Sequence, residues 1–107
     1  MFNVIREIAN FNLHNITYTL HSKERTNRKT NCTKIFKAFE VDKGHKNGTE
    51  IHVILEDSTI IILNTRTRKL ITYLKPRVPQ LKRYGLKNMP FYIFQNAIKN
   101  KLLNKNI

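Results

Sequence analysis

The sequence predicts an α+β fold of N-terminal helices followed by a small antiparallel β-meander and a C-terminal helix, in one domain spanning residues 1–107. Three observations carry this. Apolar residues recur at near-helical spacing early in the chain. The apolar period changes to two from Thr49 onward. Pro90 then stands at the head of a last apolar periodic stretch, where a proline suits the first helical turn.

Val4, Ile5, Ile8, Phe11 and Leu13 predict a first helix over residues 3–13. Asn15–Tyr18 is a short extended piece. Thr19 is a candidate cap for a helix running through Leu20, Glu24 and Arg28. Asn31 or Thr33 caps a third helix carrying Ile35, Phe36 and Phe39, which Gly44 ends. Thr49–Leu55 alternates, with Ile51, Val53 and Leu55 on one face. Glu56-Asp57-Ser58 is a turn, and the β-branched run Thr59–Leu63 reads as a central strand buried on both faces. Asn64–Arg68 is a second turn and Lys69–Leu74 a third strand. Links this short make antiparallel neighbours. Pro76 and Pro79 exclude a further central strand. Phe91, Phe94, Ile98 and Leu102 form one stripe of the last helix, and Asn100–Ile107 is expected to fray.

The chain holds 20 Lys and Arg against 7 Asp and Glu, a formal net charge of +13. Its last acidic residue is Asp57, so everything after it carries only positive charge. Such a surface is expected to meet a polyanion. The single Cys32 excludes an internal disulfide and a cysteine-built zinc site. No apolar run approaches the ~18 residues of a membrane span, and the start has no signal-peptide pattern. No glycine-rich phosphate loop and no placed serine nucleophile is present, which sets aside nucleotide hydrolases and acyl-transfer enzymes.

Three constellations carry chemistry. Glu50 and His52 lie two apart on a strand, so both side chains leave one face, expected to be open. A carboxylate beside an imidazole is an acid–base pair. A solvent-exposed strand face also needs polar residues at these positions, whatever their function. His45, just before the turn Lys46-Asn47-Gly48, reaches toward the same area. His45, Glu50 and His52 would supply three metal ligands on paper, but no close-spaced zinc motif is present, so neither a metal nor another cofactor is expected. The second constellation is Pro76–Tyr84, a proline-stiffened segment carrying Arg77, Lys82, Arg83 and Tyr84. It suits phosphate contact and base stacking, or serves as a basic connection anchored by Tyr84. The third is a predicted helix face with His21, Arg25 and Arg28 in register.

Ile16-Thr17-Tyr18-Thr19-Leu20-His21-Ser22-Lys23-Glu24-Arg25 is similar to the T-x-H-A-x-x-R helix opening of small toxin-like phage and plasmid proteins, with Ser22 where Ala is common. Gly44–Val53, Leu70–Leu74, Arg77, Gln80, Arg83 and Tyr84 resemble the C-terminal toxin domains of bacterial polymorphic and contact-dependent inhibition systems. Val78 departs from a more usual Arg-Pro pairing. Those domains belong to the barnase–EndoU–colicin–RelE group of ribonucleases.

The resemblance implies metal-independent cleavage of RNA, expected to be tRNA. It also implies action in the bacterial cytoplasm, delivery within a larger secreted protein, and neutralisation by an acidic immunity protein or antitoxin. Read onto this chain, Glu50, His52, His45 and Tyr84 are the candidate catalytic residues. His21, Arg25, Thr72, Arg77 and Arg83 are the candidate substrate contacts. Two alternatives stand beside this. One is a non-catalytic basic nucleic-acid-binding protein of phage or plasmid origin. The other is a membrane-surface protein using the last basic helix.

Overall fold

A computed structural model describes residues 2–13, 17–18, 32–46, 48–85 and 89–105, with side chains described except at 17–18 and 100–105. Its elements are β1 (Asn3–Glu7), β2 (Thr17–Tyr18), β3 (Ile35–Asp42), β4 (Glu50–Leu55), β5 (Ile60–Asn64), β6 (Lys69–Leu74), α1 (Val78–Lys82) and α2 (Phe91–Lys105). The strands form one sheet in the order β1-β3-β4-β5-β6-β2. Every neighbouring pair is antiparallel except the short β2–β6 pair, which is parallel.

The expected N-terminal helices are overturned at two places. Residues 3–7 form an edge strand, and residues 35–42 form the longest strand of the sheet. The described helices follow the strands. The predicted helix through Leu20, Glu24 and Arg28 lies outside the described residues. The misreading at residues 35–42 has a physical cause. Ala38 is buried against one face of the sheet while Phe39 and Val41 are buried against the other. A strand covered on both faces loses its two-residue alternation, and Ile35, Phe36 and Phe39 then mimic a helical stripe. Gly44, at φ 80°, supplies a left-handed residue in the β3–β4 loop rather than a helix end.

Residues 50–74 form three consecutive antiparallel strands, with a bulge between Ile62 and Leu63 on β5–β6. Ile51 pairs with Leu63 and His52 with Ile62 on β4–β5, and Ile60 with Leu74 on β5–β6. Every residue of β4 is buried, because both faces of the sheet are covered. On one face Ile54, Ile60 and Ile62 pack against Leu81, Tyr84, Met89, Ile93 and Ala97 from the helical segment. On the other, Ile51, Val53, Ile61 and Leu63 pack against Ile8, Phe11, Leu13 and Cys32. Of the expected stripe on the last helix, only Phe94 packs against the core among the described side chains. Ile93 and Ala97 are inside, whereas Phe91 is 72% and Ile98 48% exposed. No helix among the described residues is long and apolar enough to cross a membrane.

Candidate functional site

Strand β4 sets Glu50 and His52 on the face that the helices cover. The expectation of an open face is therefore corrected: His52 is 2% and Glu50 9% exposed. The cover comes from two directions. Helix α1 starts at the Leu74 end of the sheet and runs back across it, sinking Leu81 into the core and delivering Tyr84 over the middle of β4. Phe2, just ahead of β1, meets the rings of His52 and Tyr84 edge-on at 5.8 and 5.3 Å. Phe39, the cross-strand partner of His52, stacks on Tyr84 at 5.4 Å. The Arg83 guanidinium lies over the Phe2 ring at 5.7 Å.

Inside this box three polar side chains join end to end. Tyr84 Oη is 2.7 Å from His52 Nδ1, and His52 Nε2 is 2.9 Å from Glu50 Oε1. Burial raises the Tyr84 phenol well above its ordinary value, an effect that Arg83 opposes and Glu50 reinforces, so the phenol keeps its proton. The Glu50 carboxylate can only accept, so Nε2 carries the hydrogen of that bond, and with a hydrogen on Nε2 alone Nδ1 accepts from the Tyr84 hydroxyl. Burial by itself pushes the Glu50 carboxyl up. The His52 hydrogen bond, then the charge of Lys43 and the electrostatic contributions of His52 and His45, outweigh burial and hold it below the ordinary glutamate value. Lys43 Nζ stands 3.8 Å from Glu50 Oε1.

Glu50 is where this buried chain meets solvent. A cavity of about 240 Å³ is lined by His45, Lys46, Gly48, Thr49, Glu50, Asn64 and Ile71. Its cationic wall belongs to the β3–β4 loop, which Asp42 Oδ1 holds by accepting from the Gly44 N–H at 2.8 Å. Behind it, Thr49 Oγ1 donates to Glu40 Oε2 at 2.8 Å, and Thr65 Oγ1, also 2.8 Å away, donates to Thr49. Glu50 Oε2 receives no hydrogen bond from any described residue. Glu50 thus presents one carboxylate oxygen, without a described hydrogen-bond donor, to a cavity that His45 and Lys46 also line. Two larger clefts, about 300 and 510 Å³, border residues 7–13 and hold no buried titratable group among the described residues.

The sequence-derived candidates separate into groups. Glu50, His52 and Tyr84 form the hydrogen-bonded chain, and His45 shares the cavity with Glu50. His52 and Tyr84 are buried, so neither is open to direct substrate contact and the Tyr84 ring is not open to base stacking. Thr72 shares their face two strands away, in the row His52–Ile62–Thr72. Arg83 is exposed beside Tyr84. Arg77 caps α1 near the Leu74 end of the sheet and does not line the cavity. His21 and Arg25 lie outside the described residues. Sequence reasoning missed Lys43, Phe2 and Asn64. Asn64 has a local signal, since an Asn heading a polar turn after a strand is a candidate for capping that turn with its side chain. Among the described residues no group of three His, Cys, Asp or Glu side chains is arranged to hold a metal ion. No known protein family, curated protein or solved structure matches the chain.

Proposed function

We propose that the chain is an endoribonuclease in which Glu50 is the proton acceptor. The observation that carries this reading is a carboxylate held from behind by His52 and Tyr84 and opening into a cavity walled by His45 and Lys46. A cationic wall selects an anionic substrate, and the net charge of +13 selects a polyanion. Among polyanions, RNA alone sets an abstractable hydroxyl beside each phosphodiester. Glu50 takes the 2′-hydroxyl proton, and the 2′-oxygen attacks the adjacent phosphorus. The bond from phosphorus to the 5′-oxygen breaks as protonated His45 gives that oxygen a proton. The products are a 2′,3′-cyclic phosphate and a 5′-hydroxyl. Lys43 and Lys46 offset the growing phosphorane charge. His52 and Tyr84 are positioning residues. The toxin character, the tRNA substrate and the acidic immunity protein or antitoxin belong to the same proposal, as does action in the bacterial cytoplasm.

The burial of His52 favours a second reading. A satisfied Tyr–His–Glu chain also serves as a polar strut that fixes α1 on the sheet, within a protein that binds RNA without cutting it.

One experiment separates the two. The purified protein is incubated in chelator with an end-labelled RNA and its 2′-deoxy counterpart. The ribonuclease cuts only the RNA, leaves cyclic phosphate ends, and slows by ~10²–10⁴ in Glu50→Gln. Tight RNA binding without cleavage by the unmutated protein overturns the ribonuclease and leaves the binding protein.

A further inference from the structure

Strand β5 ends at Asn64, whose register partner on β4 is Glu50. Paired residues of antiparallel strands point to the same face with Cβ atoms ~4.5–5.5 Å apart. Both line the cavity. The Asn64 side chain is not free to turn. Its Oδ1 accepts the backbone N–H groups of Arg66 and Thr67, each at 3.0 Å. The turn itself is pinned by Arg68 N–H to Asn64 O at 2.9 Å and by Thr65 N–H to Thr49 O at 3.1 Å. Two backbone donors on one end of the amide decide which end is oxygen, because an amide nitrogen accepts no hydrogen bond. The NH₂ group therefore lies on the side away from the turn. No described residue accepts either of its hydrogens.

A neutral double donor, rigidly held across from a carboxylate in a cationic cavity, has a defined chemical use. It bonds an anionic oxygen without changing the charge balance that sets the state of Glu50. We infer that Asn64, with Lys46 and His45, forms a phosphate subsite in this cavity, and that its NH₂ group bonds a non-bridging oxygen of the scissile phosphodiester. The catalytic part rests on the ribonuclease reading above; the phosphate subsite does not. The bond strengthens as negative charge builds on that oxygen in the phosphorane, so Asn64 acts mainly on kcat. Loss of one such preorganised donor lowers kcat by ~10²–10³.

The test uses the intact protein and Asn64→Ser. The serine hydroxyl still accepts from the turn N–H groups but is too short to replace the NH₂ donor. Inorganic phosphate is titrated while the side-chain NH₂ signals of Asn64 are followed by NMR, and RNA cleavage is measured in parallel. Phosphate is expected to shift the Asn64 NH₂ signals in a saturable way, and the variant is expected to bind phosphate at least tenfold more weakly. Its kcat on RNA falls by ~10²–10³ with little change in KM. Asn64 signals that stay still through the titration overturn the inference. So does a variant that folds and cleaves at the unmutated rate. If the unmutated protein cleaves no RNA yet phosphate moves the Asn64 signals, the ribonuclease reading falls and the subsite stands. Should the variant fail to fold, the titration of the unmutated protein decides alone.

Discussion

Tyr84 holds its place through one hydroxyl and one ring. The ring stacks on Phe39, and the hydroxyl supplies the hydrogen that His52 Nδ1 accepts. Tyr84→Phe keeps the ring and deletes the donor, leaving a buried acceptor unpaired. The expected cost is ~1–3 kcal/mol of folding stability, read from the urea midpoint. The cleavage rate should fall with it, because the imidazole that holds Glu50 loses its own support. Glu50 adds a pH dependence. A carboxyl held below its ordinary value of ~4.3 stabilises the fold above that pH, and the contribution is lost as pH falls through the lower folded value. Stability should therefore decline on acidification from about pH 4.3 downward, and Glu50→Gln should flatten that part of the profile. Equal acid sensitivity in both proteins would remove Glu50 from the account.

At the scale of elements, α1 decides the site. It has only five residues, and its first turn is fixed by the Arg77 N–H donating to Gln80 Oε1 at 2.7 Å. Gln80→Ala removes that half of a capping pair, for ~0.5–2 kcal/mol of stability. The loosened turn should also let solvent reach Tyr84, seen as faster exchange of its backbone amide. What the sequence makes legible follows the same division. Ile51 and Val53 alternate with Glu50 and His52, so β4 and its polar face can be read directly. The β-branched run of β5 identifies a central strand. Phe2 and Tyr84 closing over that polar face cannot be read, because the cover comes from segments far along the chain. Nor does local sequence bring Asn64 opposite Glu50; that depends on the register set by the turn between Leu55 and Ile60. Val4-Ile5 and Ile35-Phe36 carry adjacent apolar residues that satisfy either period, and pairing with neighbouring strands decides them.

Across the whole molecule, the charge of +13 and the single acidic cavity residue have opposite jobs, and salt separates them. Exposed cations bind RNA by displacing counterions, which gives a logarithmic salt slope of about −0.7 per phosphate engaged on a single strand. Contact through Lys43, Lys46 and Arg83 alone sets a slope near −2.1, or about a twentyfold loss of affinity over a fourfold rise in salt. Lys46→Gln should make the slope shallower by about 0.7 and weaken all RNA sequences alike. Glu50→Gln removes a carboxylate that repels phosphate, so it should leave the slope unchanged and tighten binding slightly while cleavage is lost. Fluorescence polarisation of a labelled single-stranded RNA across potassium chloride concentrations measures each term. A slope near zero would mean that the positive surface meets something other than RNA, and weaker binding by Glu50→Gln would make that carboxylate a binding contact rather than a proton acceptor.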